Sequence, residues 1–304
     1  MRASLAIRAG LLSAVLWLGC SDPTGDAIER GDLMLGEGKP EAAIAEYKLA
    51  LRNRPDDPEL LARLGHAYAA SGQIDGTLRY YVPLLASDTS YRDQIAADLV
   101  AVARDALGRG SRANMVRALA PLLSNGAGDI PADLRLAQAR YLREQGDYER
   151  ALPLYLTVID SDATEAGDVP PVAWFETARA FEELGACRES LDYFSEYLSR
   201  APADAAETVS AQWHYGNCLY QVSERSWQDG RGGAALGYLD RLIDLGVPRT
   251  LLDRAHFLKG EALLAAGNET AALDEFLEVL QLNPTRSGPL VQLAEERVRE
   301  LRYR

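Results

Sequence analysis

The sequence states one pattern at two distant places. GDLMLGEGKPEAAIAEYKLALRNRPDD, from Gly31, and GEALLAAGNETAALDEFLEVLQLNP, from Gly260, both run small residue, apolar helix face, Gly, Ala, aromatic residue, Pro. Apolar residues recur at helical spacing on each side of the glycine, so each copy predicts two helices around a turn. One such pair cannot hide its own apolar face. Only stacking on a neighbour does so, which confines the chain to an all-α repeat architecture. Glycine at the turn, as in Gly72, Gly185 and Gly267, permits the left-handed backbone that ends the first helix. Small residues such as Gly65 or Ala178 let paired helices approach, and Tyr68 or Phe194 fills the space between them.

The pattern resembles the tetratricopeptide repeat, a pair of antiparallel helices with W-x2-L-G-x2-Y, then A-x3-F-x2-A and a closing Pro. A first copy, 24–57, supplies Gly31, Met34, Gly38, Ala43, Tyr47, Ala50 and Pro55; a second, 58–91, supplies Leu64, Gly65, Tyr68, Gly72 and Tyr81, with Thr77 for the Ala. The fifth, 171–204, is the clearest, with Trp174, Ala178, Phe181, Gly185, Ser190, Phe194, Tyr197 and Pro202 in place. The seventh, 253–286, gives Gly260, Leu263, Gly267, Ala272, Phe276, Val279 and Pro284, and weaker copies fall near 92–125, 132–165 and 209–248. The resemblance implies a right-handed superhelical solenoid of about seven helix pairs across 26–304. SGPLVQLAEERVRELRYR, 287–304, sets Leu290, Leu293, Val298 and Leu301 on one side and predicts a capping helix.

Matched positions from Ala43 through Thr77, Ala113, Ala151, Ser190, Ala235 and Ala272 lie 34, 36, 38, 39, 45 and 37 residues apart, so later units carry longer connections. The largest excess lies in SERSWQDGRGGA, from Ser223, which is expected to form a protruding loop carrying Trp227. Pro83, Pro121 and Pro153 fall in second helices, where an interior proline costs about 3 kcal/mol and bends the helix.

The N-terminus has a different grammar. Arg2 and Arg8 precede a short apolar run from Ala9 to Leu18, too short for the roughly 20 residues that span a bilayer, and Gly19 stands before Cys20. Residues 1–19 are expected to be a signal peptide. Leu-Gly-Cys-Ser at 18–21 resembles a bacterial lipoprotein signal, although Trp17 stands where that family usually has Leu, Val or Ile. The resemblance implies that the Cys20 thiol is acylated, with chains such as palmitate, and becomes the new N-terminus; an ordinary signal peptide and an uncleaved anchor are the other readings. Ser21, where the family uses Asp to mark inner-membrane retention, implies the periplasmic face of the outer membrane. Residues 20–25 would form a short tether, five extended residues reaching roughly 18 Å, which holds the folded body against the membrane.

Net charge excludes some partners. With 32 Lys and Arg against 45 Asp and Glu the chain carries −13, and −15 once Arg2 and Arg8 leave, a field that repels nucleic acid and anionic headgroups. Catalytic groupings are not evident: His66, His214 and His256 stand apart with no ligand spacing, and GRGS at 108–111 is a turn between helices rather than a phosphate loop. No cofactor or metal is expected. Asp56 and Asp57 stand at a helix start, where carboxylates cap amide groups. Arg297, Arg299, Arg302 and Arg304 form a basic helix end, solvated or facing lipid or an acidic partner. Cys187 and Cys218 lie in consecutive units, where an oxidising compartment permits a disulfide and buried free cysteines are the alternative.

In the resembling family, fixed positions of each first helix line the concave face. Carried onto this chain, the fifth position is Ile28, Ala62, Leu136, Phe175, Trp213 and Phe257, the ninth includes Arg179, Asn217 and Glu261, and the twelfth includes Tyr220. No Lys stands at the fifth position, so the family's clamp for a C-terminal carboxylate is missing. Phe175, Arg179, Trp213, Asn217, Tyr220, Phe257 and Glu261 are the expected partner-binding groove, unless the superhelix or terminal helix covers them. The implied role is a non-catalytic lipoprotein scaffold that binds envelope proteins or peptides in an outer-membrane assembly or export complex. A cell-wall or polysaccharide-export adaptor is the alternative, and a periplasmic hydrolase the alternative of another class. The sequence leaves the oligomeric state open.

Overall fold

The computed structural model describes residues 23–125, 129–162, 169–285 and 287–303, so the signal segment, Cys20 and Ser21 lie outside the described residues. Those described residues are helical throughout, with turns and no strand. They fall into two compact units, one ending at Asp129 and the other beginning at Ile130. The first contains α1 (Pro23–Gly36), α2 (Pro40–Leu51), α3 (Pro58–Ala70), α4 (Ile74–Ser87), a 3₁₀ turn (Thr89–Tyr91), α5 (Arg92–Gly108) and α6 (Arg112–Asn125). The second contains α7 (Ala132–Glu144), α8 (Tyr148–Asp162), α9 (Val172–Glu183), α10 (Cys187–Arg200), α11 (Thr208–Gln228), α12 (Gly232–Leu245), α13 (Arg249–Ala265), α14 (Glu269–Leu282) and α15 (Pro289–Arg302). The predicted pairs and the terminal helix are all present. Helix α1 begins at Pro23, so the stretch expected to be an extended tether is already helical there.

The turn inside each pair is written by glycine. At the end of α9, Gly185 has φ +75°, its N–H bonds Glu182 O at 2.9 Å and the next N–H, from Ala186, bonds Phe181 O at 2.9 Å. Two carbonyls of the last helical turn are thereby satisfied, and the chain reverses in three residues. Asp57 closes the other kind of junction, accepting from the N–H groups of Glu59 at 3.0 Å and Leu60 at 3.4 Å as the cap of α3.

Within a pair the close contact recurs at one offset. A methyl group placed on Gly31 would lie 2.4 Å from the Tyr47 ring, on Gly65 2.1 Å from Tyr81, and on Gly260 2.6 Å from Phe276. Each aromatic stands sixteen residues after its glycine and is fully buried. Burying a side chain of that size is worth about 1.5–3 kcal/mol, so these contacts carry much of the adhesion inside each hairpin. Between pairs of the first unit, Ala43, Tyr47 and Ala50 of α2 share a core with Leu60, Leu64 and Tyr68 of α3. In the second unit, Phe194 and Tyr197 of α10 share one with Tyr215, Leu219 and Val222 of α11 and Leu239 of α12.

Two expectations change. The stretch from Ser223 is no loop: α11 runs unbroken to Gln228, and the turn is only Asp229–Arg231. Ser223 and Ser226 are buried, and Trp227 packs against the core of α10–α12, so small polar residues here serve close helix packing rather than solvent exposure. The excess length is extra helix, which makes α11 the longest helix among the described residues at 21 residues. The cysteine question is also answered: Cys187 and Cys218 form a disulfide with Cα atoms 5.0 Å apart, fastening the start of α10 to the middle of α11. The interior prolines stand where expected, in α4, α6 and α8.

Candidate functional site

In the second unit the expected groove residues come from α9, α11 and α13, the first helices of three consecutive pairs. They do not share one fate. Phe175 is drawn inward, its ring 5.4 Å from Tyr197 and 6.2 Å from Phe194, and serves the core. Trp213 stays open at 48% exposure, edge-on to His214 at 4.9 Å, and Val209 one turn earlier is 74% exposed. Asn217 Nδ2 donates to Trp213 O at 2.9 Å. Together these residues give the beginning of α11 an accessible aromatic ridge.

The charged members are held by neighbours. Arg179 Nη1 lies 2.5 Å from Glu182 Oε2 and 2.6 Å from His214 Nδ1, and its Nη2 lies 2.6 Å from Glu183 Oε1. His214 Nδ1 is also 3.0 Å from Glu182, so α9 and α11 are joined by a small polar cluster beside Trp213. Glu261 of α13 accepts from Arg297 of α15 at 2.7 and 3.3 Å. Arg297 is therefore a link between helices rather than part of a solvated basic end, and its guanidinium is held well above its ordinary range by Glu261 and Glu300. The capping helix occupies the Glu261 end of the groove.

Tyr220 and Phe257 come together in a cleft of about 370 Å³, lined also by Glu224, Trp227, Gln228, Arg254, Leu258 and Leu290. Phe257 leans on Phe276 at 5.5 Å, which fixes its ring as one wall. Burial, with the Glu224 carboxylate beside it, pushes the Tyr220 phenol above its ordinary range and keeps it a neutral donor. Three aromatic rings with one cation and one carboxylate at the rim suit an apolar side chain flanked by backbone polar groups.

A sequence reading by position missed a recurrent polar joint. His66 of α3 meets Asp98 of α5 at 2.9 Å, Arg140 of α7 meets Glu176 of α9 at 2.8 Å, and His256 of α13 meets Glu275 of α14 at 2.6 Å. Glu176 is the most buried of these, 6% exposed at its side chain and gripped also by Arg143 at 3.3 Å. Burial alone would raise Glu275, but hydrogen bonds from His256 and Lys259 outweigh it and hold that carboxyl below its usual range. The available signal was opposite charge at about one repeat's separation, 36 residues for both Arg140–Glu176 and Glu261–Arg297. Among the described residues no cluster of three or more His, Cys, Asp or Glu side chains is disposed to hold a metal ion, and no helix is long and apolar enough to cross a membrane.

Two family models agree with the paired helices. A tetratricopeptide repeat family model matches residues 136–206 and 225–287, and a second TPR repeat model matches 31–72, together more than half of the chain. No curated relative matches. Among solved structures, a tetratricopeptide repeat protein from Parabacteroides merdae is 16% identical, with a TM-score of 0.35, over 93% of this chain and 100% of that one. The C-terminal part of a TPR repeat-containing protein from Cytophaga hutchinsonii is 13% identical, with a TM-score of 0.38, over 88% and 98%. MamA from Desulfovibrio magneticus is 16% identical, with a TM-score of 0.31, over 66% and 98%. With glycine turns, small-to-aromatic contacts and family matches in both units, this chain belongs to the tetratricopeptide repeat proteins.

Proposed function

We propose that this tetratricopeptide repeat protein is a non-catalytic scaffold, anchored by a lipid on Cys20 to the periplasmic face of the outer membrane, which binds an envelope protein or peptide through α11 and α13. Tetratricopeptide repeat chains act in general as protein-interaction scaffolds, and that much follows from the family. One observation carries the finer site: Trp213 stands open on α11 while Tyr220 and Phe257 wall a cleft a few turns along. Aromatic anchors beside a partly apolar cleft are the usual source of binding energy when a peptide docks on helices. The location rests on the Leu-Gly-Cys-Ser segment, and the Cys187–Cys218 disulfide supports it, because such bonds persist in oxidising compartments.

A photo-crosslinker placed at Trp213 or Phe257 in cells is expected to capture a discrete envelope protein, with capture reduced by Tyr220→Ala. Absence of capture at both positions would remove the groove as the docking site. For the anchor, Cys20→Ser is expected to abolish fatty-acid labelling and release the chain from the membrane fraction. Labelling that persists in that variant would mean the acyl group is elsewhere.

A further inference from the structure

Helix α11 is 21 residues long, against 12 for α9, and its additional turns carry Gln221, Val222, Arg225 and Ser226 beside the first turn of α10. A second, smaller cavity of about 160 Å³ forms there, lined by Gly185, Cys187, Arg188 and Glu189 on one side, the α11 residues on another and Arg231 at the following turn. It lies on a different face of α11 from the cleft that holds Tyr220 and Phe257. We propose that this cavity is a binding site for one small oxyanion, a phosphate or a carboxylate group.

Charge, dipole and size converge on this assignment. A chain of net charge −13 here gathers three guanidinium groups around one hollow. Arg231 is paired with Asp229 at 2.8 Å, whereas neither Arg188 nor Arg225 forms an ion pair with any carboxylate among the described residues. Planar guanidinium forks of this kind match the oxygens of a carboxylate or phosphate. The hollow also borders the start of α10, whose N-cap, Ala186, has no side-chain hydrogen bond to the first amides, so those N–H groups and the helix dipole favour an anion. Buried Ser226, 1% exposed, and Gln221 add polar lining, and the disulfide at Cys187 fixes α10 against α11 so that the lining keeps its spacing. The volume is well above what a single water needs, so an oxyanion head fits within it. Glu189 on the rim opposes the anion and makes the site tunable.

Isothermal titration of the oxidised full chain with inorganic phosphate at constant ionic strength is the test, with acetate as a second arm. Saturable binding is expected, about tenfold weaker in Arg188→Gln and in Arg225→Gln, and tighter in Glu189→Gln. The gain from Glu189→Gln cannot arise from a misfolded chain, so it keeps the test decisive if the arginine variants are unstable. Phosphate binding without acetate binding assigns a phosphoryl ligand, and binding of both assigns a carboxylate-tolerant one. No saturable heat with either anion, or equal affinity in all variants, overturns the site. Crosslinking at Trp213 reports on the other cleft, so either assignment can fail alone.

Discussion

A glycine in a helix means different things at different places in this molecule, and the difference is measurable. Gly216 of α11 has the Val247 carbonyl oxygen 1.9 Å from where a methyl would sit, whereas Gly237 of α12 has nothing within 4 Å. Backbone cannot swing aside as a ring can, so Gly216→Ala is expected to destabilise by about 2–4 kcal/mol, through overpacking. Gly237→Ala should stabilise by about 0.5–1 kcal/mol, because alanine loses less entropy in a helix. Urea midpoints of the two variants check both signs. His66 gives a pH signature: the hydrogen bond to Asp98 outweighs burial and lifts its imidazolium above the ordinary 6.5. A raised folded pKa stabilises fully below 6.5 and loses that contribution as pH rises through the folded value. Wild type should therefore exceed His66→Gln in stability on the acid side of neutrality, and the gap should close as pH rises. Such joints were hidden in the sequence because an Arg179 or Glu261 on a helix surface looks the same whether it meets solvent or the next helix.

Among elements, α11 shows best what was legible and what was not. Its repeat phase was readable from Tyr215, Gly216 and Leu219, since apolar and small residues at helical spacing must face a partner. Its length was not, because serines followed by Gly-Arg-Gly-Gly carry the composition of a loop, and only packing reveals that Ser223 and Ser226 are buried for their size. The disulfide was equally undecidable, since pairing depends on Cα separation and not on sequence distance. It closes a span of 31 residues, for which chain-entropy reasoning gives about 3–4 kcal/mol of stabilisation. The Cys187→Ser, Cys218→Ser double variant should lose about that much against the oxidised protein, and reduction of wild type should lower its denaturation midpoint likewise. Identical midpoints would show that the bond contributes nothing in solution.

For the whole molecule, composition and repeat logic decide behaviour that no single contact sets. A net charge of −13 predicts that the purified chain flows through heparin and cation-exchange resins at low salt, and retention there would contradict the exclusion of polyanion partners. Stacked hairpins share stability with immediate neighbours, so a lesion weakens its own pair and those adjoining before it is felt further away. The last helix gives this a final consequence. Val291, Ala294 and Val298 of α15 close over Phe276, Val279 and Leu280, while Gln292, Glu296 and Arg299 are exposed on its other side. Remove the chain from Pro289 onward and α14 presents a bare oily edge shaped to receive another hairpin, so truncated copies should string together into species whose light scattering grows with concentration. The fourteen residues of α15 cover that edge and so stand between the oily face of one copy and that of the next.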